Sequence, residues 1–409
     1  MTLHAPSRRE LLLASGTLFS WAFVPKLALA EGRDPRLLVI VLRGALDGLA
    51  AVAPVGDPEW QRLRGDKALT LESAPAALRL DPFFALNPAM PNLHRLYRAG
   101  AATIVHAAAT PYRERSHFDG QDVLESGLSA PGAADSGWLN RALTALQPAG
   151  RVSGKDAFAV GPIAPLVVRG PAPVLSWTPR RLPPASDDTV MRLLDIYRHV
   201  DPVLARALEE RVGLATIARA GGMEAEQQRP AGAGQVRAYF AESAGTAAKF
   251  LARPDGPRIG ALAFDGWDTH ADEGVMNGRL ANLLAALDGA IAAMETEMKE
   301  AWRETVVAVV TEFGRTARIN GTEGTDHGTA TVALLAGGAL KGGRVISDWP
   351  GLKPANLHEG RDLKPTTDLR AVLKGVLKDH LRLDDAVLAS KVFPDSSRVK
   401  PMPGLVTSA

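Results

Sequence analysis

The 409-residue chain predicts an α/β fold, a three-layer sandwich with a mostly parallel central sheet and a helical side insertion. Three observations lead there. Short apolar runs recur along the whole sequence and are continuous rather than alternating, as strands covered on both faces must be. Amphipathic stretches long enough for helices lie between several of them. Composition is that of an ordinary globular protein, 46% hydrophobic and 22% charged, with length enough for a large core.

The N-terminus reads as an address. "SRRELLLASGTLFSWAF" followed by "PKLALAEG" has the paired Arg8 and Arg9, an apolar region from Leu11 to Val24, and small residues at Ala28 and Ala30. This is the layout of a twin-arginine export signal cleaved after Ala30, with the twin-arginine translocase as partner and a periplasmic or secreted destination. The run is too short and too broken by Ser and Gly for a stable membrane span. The chain has 47 basic and 45 acidic residues, three and one of them in the first thirty, so the mature protein is formally neutral. Neutrality gives no electrostatic basis for binding nucleic acid. Export permits disulfides, yet the chain has no cysteine, so stability must come from the core.

From residue 31 to 409 a single domain is expected. Its first strand is the run at 37–42, followed by a helix at 88–99 and a strand at 102–106. Helices follow at 119–126 and 137–146, then a strand at 157–160. Residues 161–184 are rich in Pro and lack helical periodicity, which indicates a β-hairpin or an irregular excursion. Helices at 189–220 and 235–251 form the side insertion, about 187–252, with "GGMEAEQQRPAGAG" at 221–234 as its mobile turn. The strand at 259–264, the helix at 278–302, strands at 305–311 and 331–335 and a helix at 367–381 complete the domain, with a loose end after Pro394.

In an open parallel sheet, ligands bind beyond the carboxyl ends of the strands, and four such places carry polar residues. "RGALDGL" sets Asp47 beyond the first strand, either facing the crevice or capping the next turn. In "YRERSHFDGQD", Ser116 with Asp119 three residues on is an N-cap pattern, and a helix start also suits a nucleophile or an anion held by Arg113 and Arg115. In "FDGWDTHADEG", Asp268 and His270 share a side if extended, a usable metal pair, although a lone D-x-H is more often solvated. "EFGRTARINGTEGTDHG" brings Glu312, Arg315, Asp326 and His327 between two buried strands, where a plain surface connection would not need them.

Together, "LVIVLRGALDGLA", "RSHFDGQDVLESG", "GWLNRAL", "GWDTHADEG", "TEFGRTARINGTEGTDHG" and "KGGRVISDWPGL" resemble, in this order and from about residue 36 to 382, domain-of-unknown-function family 1501. That family consists of exported bacterial proteins placed near the alkaline phosphatase and sulfatase superfamily. The resemblance implies an alkaline-phosphatase-like fold holding one or two divalent metals, with zinc, manganese and calcium as candidates. It implies Asp47 as the early metal ligand, Ser116 as the nucleophile, and Asp268, His270 and His327 as ligands of one metal. Glu312 stands where the superfamily has Asp followed by His, and Phe313 replaces that His. One nitrogen ligand is thereby lost, for which His117 or Asp326 could compensate. Arg113, Arg115 or Arg315 would bear the charge of the substrate.

Two functions follow. One is an exported, metal-dependent hydrolase of small phosphate or sulfate esters with Ser116 as nucleophile; the other is a non-catalytic metal-binding or assembly protein that keeps the fold. The export reading is tested independently of either. With Arg8 and Arg9 both changed to Lys, cell fractionation is expected to find uncleaved precursor in the cytoplasm, and normal amounts of mature periplasmic protein would refute it.

Overall fold

The computed structural model describes residues 33–132, 134–146, 157–160, 164–177, 187–201, 205–206, 233–254 and 256–407. The export signal expected at 1–30 lies outside these residues, as does most of the turn expected at 221–234, whose last two residues open a helix. Among the described residues no helix is long and apolar enough to cross a membrane.

Nine strands build the central sheet: β1 (Arg36–Leu42), β2 (Ala102–Ala109), β3 (Ala157–Val160), β4 (Val174–Trp177), β5 (Ile259–Phe264), β6 (Thr305–Thr311), β7 (Thr331–Ala336), β8 (Arg344–Ile346) and β9 (Thr367–Asp368). Their spatial order is β8-β2-β7-β6-β1-β5-β3-β4, with β9 also on β2. Seven helices matter here: α1 (Pro91–Arg98), α2 (His117–Ser126), α3 (Trp138–Leu146), α4 (Asp187–Val200), α5 (Ala233–Ala252), α6 (Arg279–Met298) and α7 (Leu369–Leu381).

The continuous apolar strands have the cause inferred from them. All seven residues of β1 are buried, and its side chains alternate between two cores. Leu38, Ile40 and Leu42 join Leu93 of α1, Phe240 of α5 and Leu284 of α6 on one face. Leu37, Val39 and Val41 join Trp138 and Leu143 of α3 and Val376 of α7 on the other. Each such aliphatic side chain contributes about 1.5–3 kcal/mol on burial, so the helical layers are held by the sheet rather than by their own propensity.

Within this sheet every described neighbouring pair is parallel except the two that involve β7, which runs against both β6 and β2. The sheet is thus mostly parallel, as the apolar runs predict, with one reversed strand. Residues 312–330 contain no helix to carry the chain back across the sheet, and a parallel connection requires such a crossover. Of the two alternatives for 161–184, the hairpin does not form: the described part holds a short 3₁₀ turn, Leu166–Val168, and β4 lies parallel to β3. The end after Pro394 is anchored, with Leu405 fully buried and its carbonyl accepting from Lys341 N.

Register aligns the site. Leu42 pairs with Phe264 on one side and Thr311 on the other, so β1, β5 and β6 end at one level and release Arg43, Asp265 and Glu312 together. The reversed β7 starts at this same edge, which brings its preceding residues, Asp326 and His327, to the carboxyl ends of the others.

Candidate metal centre

Two loops form the floor of the centre. The chain after β5 and the chain between β6 and β7 are zipped by backbone bonds, Thr325 N to Thr269 O at 3.1 Å and Asp272 N to Thr322 O at 2.9 Å. Asn320 Nδ2 adds a bond to His270 O at 2.9 Å. The approach needs glycine at two points: a Cβ on Gly44, whose φ is +114°, would lie 2.5 Å from Asp268 N, and one on Gly324 would lie 2.3 Å from the His270 backbone.

Within this frame three imidazoles converge on one oxygen. Asp268 Oδ1 lies 3.5 Å from His117 Nε2, 3.1 Å from His270 Nε2 and 3.4 Å from His327 Nε2. The Nε2 atoms of His270 and His327 are 2.9 Å apart. Candidate ligand atoms of His117, Asp268 and His327 all lie within 4.8 Å of one another. Each ring is also held from behind. His117 Nδ1 is 2.8 Å from Glu312 Oε1, His327 Nδ1 is 2.9 Å from Arg115 O, and His270 Nδ1 faces Asp326 Oδ1 at 3.5 Å. Rings oriented through Nδ1 with Nε2 turned to a common point are the arrangement of metal-ligating histidines.

The donors fit a metal on an observation of their own. His117 Nε2 is buried without a hydrogen-bond partner, and 3.5 Å to Asp268 is too long to supply a good one. Ligands about 2.0–2.1 Å from a tetrahedral zinc would be about 3.3 Å apart, and the separations here, 2.9 to 3.5 Å, bracket that value.

The remaining expected site residues take other positions. Asp47, expected as the early ligand, is fully buried and engaged elsewhere: Oδ1 accepts from Leu49 N and Ala50 N, and both oxygens accept from Arg64. Its role is therefore that of turn cap and ion-pair partner. Glu312 stands behind His117 instead of beside it, accepting also from Gly44 N and Gln121 Nε2 through Oε1 and from Thr311 Oγ1 through Oε2. Asp326 likewise stands behind His270. Arg315 is buried and donates to Asp268 Oδ1 at 2.7 Å and Thr325 Oγ1 at 3.2 Å, while Arg115 pairs with Asp362 and Glu359. Ser116 caps α2, accepting from Asp119 N at 3.5 Å.

His117 lies against Phe313. Its ring stacks on that phenylalanine with centroids 5.0 Å apart, and Gly120 has no Cβ to meet the same ring, where one would lie 2.9 Å away. A sequence signal for this pair exists in retrospect: His117, Gln121 and Glu125 are spaced i, i+4 and i+8 on α2, a polar stripe, and Gln121 and Glu125 are buried.

Titration follows the geometry. Burial opposes a charge on His117, but the carboxylates of Asp268 and Glu312 outweigh it and raise the ring to about 9. Burial would raise Asp268, yet His117, His327 and Arg315 hold it well below the usual carboxylate range. Glu312 is lowered in spite of burial, chiefly by His117. His270 is lowered by burial, with Arg315 and His327 adding to the effect.

The chain belongs to the family described as protein of unknown function (DUF1501), which matches residues 34–392. A comparison with curated proteins finds no match. Among solved structures it is similar to Ps i-CgsB in complex with k-i-k-neocarrahexaose, with 11% identity, covering 90% of this chain and 74% of that one, at a TM-score of 0.44. A protein in the alkaline phosphatase superfamily from Vibrio parahaemolyticus is 14% identical, covering 83% and 70%, at a TM-score of 0.35. The phosphonate monoester hydrolase of Agrobacterium radiobacter is 13% identical, covering 76% and 70%, at 0.34. Likenesses at such TM-scores decide nothing about the site.

Two measurements check this centre. His117 has a folded value above its ordinary 6.5, so its contribution to stability is complete below that pH and is lost as pH rises through about 9. In chelator, the melting temperature is expected to fall over this interval, and less steeply in His117→Gln. Glu273, pushed up by burial and by Asp47, loses stability in the same direction from lower pH, so the difference between the two proteins is the readout. Asp47→Asn separates structural from ligating carboxylates: breaking a buried pair costs about 3–5 kcal/mol, so stability should drop while metal content per folded chain stays at the wild-type level. Metal loss without destabilisation would make Asp47 a ligand.

Proposed function

We propose that this member of the DUF1501 family is an exported hydrolase of small phosphate or sulfate esters that depends on one divalent ion. His117, Asp268 and His327 would hold that ion, with His270 beside them. The observation that carries the reading is the convergence of three backed imidazole nitrogens on one carboxylate oxygen. Three nitrogens and one oxygen suit zinc far better than calcium, which takes six to eight oxygens. A single ion is favoured because Asp47, the carboxylate expected as the early ligand, already pairs with Arg64. Bound there, the ion supplies a Lewis acid for an ester oxygen.

Ser116 is the nucleophile in this reading. It lies between Arg115, whose carbonyl holds His327, and His117 itself, so it is the immediate chain neighbour of both. Its bond to Asp119 N, at 3.5 Å, is long for an N–H···O contact and leaves the hydroxyl weakly committed to capping. The hydroxyl oxygen would attack phosphorus or sulfur, the alcohol would leave, and water would hydrolyse the serine ester.

A second reading, metal binding without turnover, is favoured by the arginines. Arg113 donates to the carbonyls of Thr110 and Tyr112, Arg115 pairs with Glu359 and Asp362, and Arg315 pairs with Asp268, so all three are engaged before an anion arrives. In both readings the mature chain starts after Ala30, the translocase is the export partner, and nucleic acid is not a ligand.

Metal analysis of the exported protein, followed by a screen against aryl phosphate, phosphodiester and sulfate esters, tests the proposal. We expect one equivalent of metal and turnover of one ester class. Ser116→Asn should retain melting temperature and metal while turnover falls at least a hundredfold, because asparagine caps a helix but cannot form the ester. Metal without turnover selects the second reading, and absence of metal removes both.

A further inference from the structure

The insertion helix α4 sends one charged side chain back into the protein, towards the far side of the metal centre. Arg192 is buried, and its guanidinium fits between two residues one turn apart on α2. Nε donates to Gln121 Oε1 at 3.2 Å, a second nitrogen also donates to that oxygen, and Nη1 lies 3.6 Å from Glu125 Oε1. Glu125 is fixed in turn, accepting from Arg43 Nη2 at 2.8 Å and from Val167 N at 3.1 Å. On the opposite end of its amide, Gln121 Nε2 donates to Glu312 Oε1 at 3.2 Å. That same oxygen lies 2.8 Å from His117 Nδ1.

We infer that Arg192 is a positioning residue for the metal centre, coupling the seating of the helical insertion to the orientation of His117 through Gln121 and Glu312. The reason is the asymmetry of an amide. Gln121 has a donor end and an acceptor end, and only the donor end is compatible with a carboxylate. With the acceptor end held by a guanidinium, the donor end must face Glu312. Without it, no other donor among the described residues bonds the acceptor end, and the amide can turn over and set its oxygen against that carboxylate. Glu312 would then lose a donor, and the hydrogen bond that orients His117 would share its acceptor with one partner fewer. A helix that joins the fold by insertion thereby reaches the centre without touching it.

This inference rests on the metal reading, and the experiment separates the two. Wild type, Arg192→Ala, Arg192→Lys, Gln121→Leu and the double variant Arg192→Ala/Gln121→Leu are compared by Zn²⁺ affinity against a chromophoric chelator and by the visible spectrum of the Co²⁺-loaded protein. Loss of an outer partner of a metal ligand weakens binding about 10- to 100-fold. Arg192 acts one residue further out, so Arg192→Ala is expected near the lower limit, about tenfold, with an altered cobalt spectrum. Arg192→Lys should recover most of the loss. The double variant should be no weaker than Gln121→Leu alone, because both changes break one path.

Metal-free protein supplies the second readout. With histidine labelled, the ring nitrogen resonances of His117 should move in Arg192→Ala and Gln121→Leu alike, and return towards wild type in Arg192→Lys. Wild-type affinity and resonances in Arg192→Ala overturn the inference, as does a double variant with additive losses. Failure of wild type to bind Zn²⁺ or Co²⁺ would sink the metal reading, while the metal-free resonances would still decide the path. If Arg192→Ala does not fold, Gln121→Leu decides: weaker Zn²⁺ binding and displaced His117 resonances there, with Arg192→Lys near wild type, support the path, and wild-type values in Gln121→Leu overturn it.

Discussion

A buried anion organises this end of the molecule. Glu312 ends β6, near the middle of the sheet, with no exposure, and a carboxylate there is tolerable only when its oxygens are satisfied. Its four partners come from three places: Gly44 N from the loop after β1, His117 and Gln121 from α2, and Thr311 Oγ1 from the strand itself. Satisfying Glu312 therefore brings the loop after β1 and the start of α2 against the end of β6. The backing of His117 is a by-product of that requirement. The other ligands are less constrained, since Asp268 and His270 are about half exposed at the mouth.

Charge is handled differently on the two sides of this anion. Towards the interior, Asp47 and Arg64 form a closed pair with almost no exposed side chain, and Arg43, Glu125 and Arg192 form another buried group. Both are complete within the protein. Towards solvent, Asp268 Oδ1 has Arg315 on one side and three imidazoles on the other. The outer group ends in donors that point at a shared space, and it contains His117 Nε2, a buried nitrogen without a hydrogen-bond partner.

Much of the fold was legible because continuous apolar runs have few explanations. The runs containing Leu38 and Ile40, or Val307 and Val309, had to be covered on both faces. Strand direction was not legible from them, since the pattern of β7 is the same either way; the absence of a helical stretch in 312–330 was the available signal. At the site, Asp268, His270 and His327 could be singled out only because several polar clusters fall at strand ends together and their motifs resemble one family in order. Asp47 could not be separated from a turn cap, because the DG pair that caps would equally place a ligand. His117 was visible only as compensation for Phe313, since its meaning depends on a glutamate 195 residues away. Arg64 and Arg192 carried no signal in the chain, as an arginine in a helix is ordinarily solvated.

The reversal of β7 limits how the centre can move. A loop between a strand and a crossover helix can swing about one firm end, as a lid does. Residues 312–330 leave one interior strand and enter its neighbour, so both ends are pinned at adjacent positions of a buried sheet. The span is further stitched across itself by Gly314 N to Thr329 O and Thr316 N to Asp326 O, both 2.9 Å. His327 consequently sits on a closed loop with little amplitude of its own. The segment after β5, which carries Asp268 and His270, is tied to this loop by Thr325 N to Thr269 O and Asp272 N to Thr322 O and is bonded to the start of α6 by Leu280 N to Glu273 O, so it shares that restraint.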